Sequence, residues 1–427
     1  MSSPGTRRNV LAIVLAGGEG KRMMPLTMER AKAAVPFGGM YRLIDFALSN
    51  VVNSGFLKVV VLTQYKSHSL DRHITTTWRM STMLGNHVTP VPAQQRTGKR
   101  WFAGSADAIF QSLNLLDDER PDLVLVVGAD HVYRMDFAAM VEHHVSSGLP
   151  CTVAAIRQPV GNVGRLGVIT PGEDGVIAEF TEKPSRVTGL PDARHQVLAS
   201  MGNYVFDADV LREAVCRDAE DHDSSHEMGA DVLPRLVAEG RAGWYSFSDN
   251  DVPGATDRDA GYWADMSTLR SYYESHMDLV GPDSVLNLHN RDWPLHTRYG
   301  PLPPAKVTTG EDGTESRVSA SLLAPGCVVA GATVHHSVLS TGVVVESGAE
   351  VTDAVLLPGV RVGAGAVVRS AIIDKSVAVP AGVSIGLSQD ADRRRGFAVD
   401  DGLTVIAKGQ HVPTDAELDA VEDDEDF

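Results

Sequence analysis

Short apolar runs alternate with amphipathic stretches through the first part of the chain. Val10 to Ala16, Lys58 to Thr63, Leu123 to Gly128 and Thr152 to Ile156 are nearly continuous hydrophobic runs, too short for ordinary helices, and they predict buried strands. Between them, Ile44 to Asn53 and Ala106 to Leu116 carry apolar residues at helical spacing. This alternation predicts an α/β domain whose mostly parallel, Rossmann-like sheet has helices on both faces. Ligands of such sheets gather outside the carboxyl ends of the strands.

The pattern changes after Tyr299. The stretch to Ser319 is rich in Pro, Gly, Thr and charge, the composition of an exposed connection. Beyond it a Val-x-x-Gly-x-x-Val unit starts at Val328, Val345 and Val362 and closes as Val-x-x-Gly-x-x-Ile at Val379. A second apolar group recurs as Ser337-Val338-Leu339, Ala354-Val355-Leu356 and Ala371-Ile372-Ile373. Aliphatic residues at such a period fill the inside of a triangular, left-handed parallel β-helix, with small residues at its corners. A β-sandwich with glycine turns is the alternative. The expected division is a first domain over 1–299, a linker over 300–319, the β-helix over 320–410 and an acidic tail over 411–427.

Charge and cysteine content narrow the classes of function. A formal net charge of −17 over 427 residues disfavours broad binding to nucleic acid or anionic membrane, so any phosphate site must be a local cluster of cations. Three scattered cysteines, Cys151, Cys216 and Cys327, suggest neither a disulfide framework nor a zinc site and fit a reducing compartment. With no signal-peptide pattern and no apolar span of membrane length, the cytoplasm is expected.

Candidate chemistry lies at the predicted strand ends. Leu15-Ala16-Gly17-Gly18-Glu19-Gly20-Lys21-Arg22 follows the first strand and supplies a permissive backbone and exposed amides for a nucleotide phosphate, with Arg22 and Lys32 nearby as cations. Asp130 follows the Leu123 to Gly128 run, and Asp265 in Tyr262-Trp263-Ala264-Asp265 is a candidate partner. Two carboxylates from distant segments suit magnesium, a hard cation that keeps waters and substrate phosphate oxygens as further ligands. Either aspartate alone is as compatible with a helix cap or a turn.

These segments, together with RAKAAVPFGGMYRLIDFALSN, TQYKSHSLDRHI, PAQQR, GSADA, GADHVYRMD, EKP, LASMGNYVFDAD and YWAD, make the sequence resemble the bacterial glucose-1-phosphate adenylyltransferases from about Val10 to about Lys408. The resemblance implies a catalytic nucleotidyltransferase domain that joins ATP and glucose 1-phosphate into ADP-glucose and pyrophosphate with Mg2+, in service of glycogen or another α-glucan. It implies that Gly17, Gly18, Arg22 and Lys32 hold the ATP phosphates, and that Gln95, Gly104 and Asp107 line the nucleotide side. Phe102, Gly167, Glu182, Lys183 and Ser200 would face glucose 1-phosphate, with Lys183 at the phosphate and Glu182 and Ser200 at sugar hydroxyls. Arg22, Lys32 and Asp130 would act on the reaction itself, and Asp130 and Asp265 would hold the metal.

The sequence departs from the common pattern at several positions. Phe102 replaces a frequent Tyr, Ala33 a Pro and Ala129 a Gly; Ala230, Ala264 and Ser267 also differ. Two other readings remain: a pyrophosphorylase making UDP- or dTDP-glucose, and a non-catalytic regulatory subunit of the same family. The resemblance further implies a homotetramer and a phosphorylated allosteric effector held between the domains. The cation clusters Arg30 with Arg42, and Arg393-Arg394-Arg395, are the candidates for that effector. Glu29 and Pro36 stand where enterobacterial relatives carry basic residues, so an effector other than fructose bisphosphate is expected.

Overall fold

A computed structural model describes residues 8–94, 101–281 and 284–419. The predicted strands form where the apolar runs lie: Val10–Ala16, Lys58–Thr63 and Leu123–Gly128 with the expected bounds, and the fourth extended to Cys151–Pro159. Val10–Ala16 is flanked in parallel by Lys58–Thr63 on one side and Leu123–Gly128 on the other, and His87–Pro92 adds a further parallel strand outside Lys58–Thr63. The chain therefore changes direction across the sheet beside Val10–Ala16. This is the switch point at which the carboxyl ends of neighbouring strands open a crevice.

The other half of the sheet is mostly antiparallel, with Ala242–Ser246 added in parallel beside Cys151–Pro159. Gln196–Asp207 runs against Leu123–Gly128, Cys151–Pro159 and Gly167–Pro171, and Ile177–Glu182 runs against Gly167–Pro171. The helix Leu43–Asn53 matches expectation to within one residue, whereas Ala106 to Leu116 breaks into Ser105–Phe110 and Asn114–Glu119. The amides of Ala106 and Asp107 both donate to His226 O, which ties the first turn to a distant loop.

The β-helix has three parallel faces. Lys306–Thr308, Val328–Ala330, Val344–Val345, Arg361–Val362 and Ala378–Val379 stack along the first. The expected linker over 300–319 is therefore corrected: Lys306–Thr308 and Arg317–Ser319 pair in parallel with Val328–Ala330 and Thr333–His335 and already belong to the first coil. The repeat also starts one residue later in its first unit. Val329, not Val328, is in register with Val345, because the inward position is the one that stacks, and Val329 is fully buried while Val328 is partly exposed.

On the third face successive residues point opposite ways. Leu339, Leu356, Ile373 and Ile406 fill the β-helix interior, while Val355, Ile372 and Val405 face outward and pack with Phe37, Leu43 and Tyr272 of the first domain. An apolar core thus continues across the domain boundary, and a boundary of that kind resists relative motion. Polar ties reinforce it: Thr341 N donates to Gly39 O at 3.2 Å and Tyr273 Oη to Asp353 O at 2.8 Å. No described helix is long and apolar enough to cross a membrane.

Candidate functional site

A cleft of about 650 Å³ opens at the carboxyl edge of the sheet, over the switch point. Its floor begins where Val10–Ala16 ends, with Gly17 and Gly18, followed by the 3-10 turn Lys21–Met23 that carries Arg22. Among the described residues, none but its chain neighbours comes within 4 Å of where a Cβ on Gly18 would stand, so their packing does not demand glycine there. A bare backbone facing open space instead leaves room for a phosphate to approach the amides.

Lys32 reaches the same floor from the turn Lys32–Ala34, and its Nζ donates to Asp130 Oδ2 at 2.7 Å and lies 3.9 Å from Asp265 Oδ1. The two aspartates meet because Trp263–Asp265 pairs antiparallel with His131–Tyr133, setting Asp265 opposite His131. Met266 N donates to Asp130 O at 3.3 Å and closes the pairing. Burial works against ionising Asp130, but the charges of Lys32 and His131 overcome it and hold the carboxyl well below the usual carboxylate range. Asp130 is therefore an anion at neutral pH.

Asp130, His131 and Asp265 each offer a ligand atom, all within 4.8 Å of one another. Two carboxylates that line the cleft fit a hard divalent cation that completes its shell with water and substrate phosphates. The His131 ring lies against Trp263 with centroids 4.9 Å apart and the planes tilted by 44°.

The opposite wall comes from the antiparallel half of the sheet. Gly167 pairs with Glu182, and a Cβ on Gly167 would meet the Phe180 ring and the Glu182 carboxylate, so a larger residue would displace those side chains from their present places. Lys183 follows with a left-handed φ of 44° and its Nζ 2.7 Å from Glu182 Oε1. Non-glycine residues seldom hold such a φ, and when they do it is commonly at a ligand site. Ser200 sits where Gln196–Asp207 slips register against Cys151–Pro159 before Tyr204. The bulge carries Gly202, where a side chain would reach His131, and Asn203, which accepts from Gly128 N at 3.3 Å and donates to Tyr133 Oη at 3.0 Å.

Phe102 and Gly104 close the cleft on the side of the parallel strands. Gln64 holds this loop in both directions: Phe102 N donates to Gln64 Oε1 at 2.6 Å, and Gln64 Nε2 to Phe102 O at 3.2 Å. A Cβ on Gly104 would fall 2.2 Å from His226 O, so the loop can pass that backbone only as glycine. Asp107 does not line the cleft. It is buried and accepts from Ala103 N and Gln111 Nε2, both at 2.8 Å, so it shapes the loop from behind. Gln95 lies outside the described residues.

Gln64, His131, Gly202, Glu227 and Gly229 also line the cleft, although sequence reasoning did not single them out. Gln64 directly follows Lys58–Thr63, so the strand-end argument that found Gly17 and Asp130 applied to it equally. Glu227 carried no such signal; it reaches the cleft by accepting from the Ser105 amide at 3.1 Å and from the Ser105 hydroxyl, across the domain.

The two expected cation clusters do not share one site, although Arg30 and Arg42 lie close enough for both to act on Lys375. Arg42 lines a separate cavity of about 440 Å³ between the domains, with Arg72, Arg298 and Lys375. Arg30 is not in that lining: it is buried and paired with Asp374. Arg393 and Arg394 belong to the helix Gln389–Arg394 and are likewise absent from the lining, with Arg393 pairing to Asp390 at 3.2 Å.

Residues 11–281 match the Nucleotidyl transferase family, and residues 303–406 match the GlmU-like C-terminal hexapeptide family. The chain is 60% identical over 415 residues to a glucose-1-phosphate adenylyltransferase of Paenarthrobacter aurescens, covering 96% of this chain and 88% of that protein. It is 59% identical over 405 residues to the protein of that name from Kocuria rhizophila, covering 94% and 98% of the two chains. The corresponding protein of Bifidobacterium adolescentis is 51% identical over 403 residues, covering 94% and 97%.

Proposed function

Because the chain belongs to the glucose-1-phosphate adenylyltransferases, a branch of the nucleotidyl transferase family, we propose that its cleft joins ATP to glucose 1-phosphate between the Gly17–Gly18 floor and the Glu182–Lys183 wall. The observation that carries this reading is the convergence of Asp130, Asp265 and Lys32 between those two walls. A phosphate oxygen of glucose 1-phosphate attacks the α-phosphorus of ATP, the bond from that phosphorus to the α,β-bridging oxygen breaks, and pyrophosphate departs with the electron pair. The phosphate nucleophile is already ionised at neutral pH, so no general base is required.

The residues position and screen. Gly17 and Gly18 present amides to the triphosphate, and Arg22 and Lys32 offset charge that grows on the leaving group. Glu182 and Ser200 take sugar hydroxyls. Asp130 and Asp265 hold Mg2+, which supplies Lewis-acid stabilisation of the phosphoryl oxygens. Pyrophosphate release by purified protein with ATP, glucose 1-phosphate and magnesium tests the reading. Comparable turnover with UTP, dTTP or GTP would refute the choice of ATP.

Lys183→Ala is expected to raise KM for glucose 1-phosphate about tenfold or more and to change KM for ATP little, because a cation on a substrate phosphate contributes to ground-state binding. Steady-state kinetics with each substrate varied in turn checks this. A rise confined to ATP would exchange the two substrate walls.

Regulation fits the interdomain cavity. Burial, then the charges of Arg42 and Arg30, push the Lys375 ammonium down to about 8, and an anionic phosphate beside it would relieve that repulsion. Lys375 is cationic below that value and loses its proton as the pH rises through it. Activation by a sugar monophosphate or a glycolytic acid should therefore need more effector at pH 9 than at pH 7. Arg42→Ala should abolish the response, and a flat response of the unsubstituted enzyme to a panel of such metabolites refutes the effector site.

A further inference from the structure

Both substrates of the proposed reaction are polyanions, and the cleft meets them with cations on two walls. On the floor, Lys32 is compensated by Asp130, while Arg22 has no ion pair among the described residues. The sugar wall repeats this arrangement. Lys183 is compensated by Glu182 at 2.7 Å, so by itself it brings little uncancelled charge to a phosphomonoester. The same wall also carries Arg165, which lines the cleft, is exposed, and makes no side-chain hydrogen bond or ion pair among the described residues.

The backbone fixes Arg165 beside Lys183. The turn Val160–Arg165 runs directly into the strand Gly167–Pro171, Gly167 is in register with Glu182, and Lys183 N donates to Leu166 O at 3.0 Å. Arg165 is thus one residue from the carbonyl that tethers Lys183. A guanidinium presents a planar fork of donors that matches two phosphate oxygens at once.

We propose that Arg165 is a further substrate-binding residue, a second cation that grips the phosphate of the sugar 1-phosphate together with Lys183. This rests on the reaction proposed above. Arg165→Gln is expected to raise KM for glucose 1-phosphate about tenfold and to leave KM for ATP within about twofold. Arg165→Lys should recover part of the loss, because it restores the charge but not the fork. In the reverse direction KM for ADP-glucose should rise and KM for pyrophosphate should not, since ADP-glucose retains the phosphate in question. The dependence of KM for glucose 1-phosphate on ionic strength should flatten in Arg165→Gln, a change that a merely structural role would not produce.

Synthesis of ADP-glucose by the unsubstituted enzyme is measured first, and its absence refutes the reaction and this assignment together. If that enzyme turns over and Arg165→Gln leaves KM for glucose 1-phosphate unchanged, or raises KM for ATP or pyrophosphate instead, the Arg165 assignment alone falls.

Discussion

Asp130→Asn is expected to lower kcat about a thousandfold while KM for glucose 1-phosphate stays within about twofold. A thousandfold corresponds to about 4 kcal/mol of transition-state stabilisation, the size of effect that follows loss of one well-placed electrostatic partner. The amide is nearly isosteric with the carboxylate and can still accept the Lys32 hydrogen bond, so the packing survives and the charge does not. Two effects then add. The metal site loses an ionised oxygen, and the Lys32 ammonium, 2.7 Å away, loses the anion that holds it in place. Both act on charge that grows as pyrophosphate leaves, which is why the loss should fall on kcat and not on sugar-phosphate binding. Initial rates across a magnesium titration check it. A variant with near-normal kcat at saturating magnesium would remove Asp130 from the metal site.

Residues placed by one strand alone were legible in the sequence, and residues placed by pairing between segments were not. Gly17 and Asp130 follow apolar runs whose strand character is local, so their position at the carboxyl edge followed from pattern alone. His131 joins the site through the antiparallel pairing of His131–Tyr133 with Trp263–Asp265, segments more than a hundred residues apart. Glu227 depends on its bonds to Ser105, and Gly202 on a register slip within Gln196–Asp207. No periodicity encodes these contacts. Asp107 shows the opposite failure: a residue inside a recognisable motif faces the loop backbone and not the cleft.

The β-helix teaches the same lesson at larger scale. Its period was readable because every coil must turn an aliphatic residue inward, but the first unit is one residue shorter, and an even spacing of motifs passed over that difference. The composition that marked 300–319 as a linker reflects exposure, and an outer coil with no neighbour on one side is exposed as well. Which β-helix face meets the first domain was not readable either, since Val355 and Ile372 look no different from the residues that point inward.

Arg30 shows how far a cation's role depends on its partner, and substitution there should have the largest effect on stability. Arg30→Met is expected to destabilise the enzyme by about 3–5 kcal/mol, because it leaves the Asp374 carboxylate, which has no solvent exposure, without its counter-charge at the domain boundary. Asp374 Oδ1 accepts from Lys375 N at 2.6 Å, but a single amide cannot balance a buried anion. A chain with two domains need not unfold in one step, so the first calorimetric transition and the half-life of activity on heating are the appropriate readouts. Arg30 stands two residues before Lys32, so the same substitution should also reduce kcat by loosening the turn that aims the ammonium at Asp130. Adding Asp374→Leu to Arg30→Met should recover most of the stability, because replacing both members of a buried pair by apolar groups removes the stranded charge. Arg42→Ala provides the contrast: it should abolish the response to effector with a much smaller loss of thermal stability, since Arg42 lines the cavity and forms no buried ion pair among the described residues. If Arg30→Met instead kept its thermal transition and lost only the effector response, the guanidinium would be a ligand for the effector and not a strut between the domains.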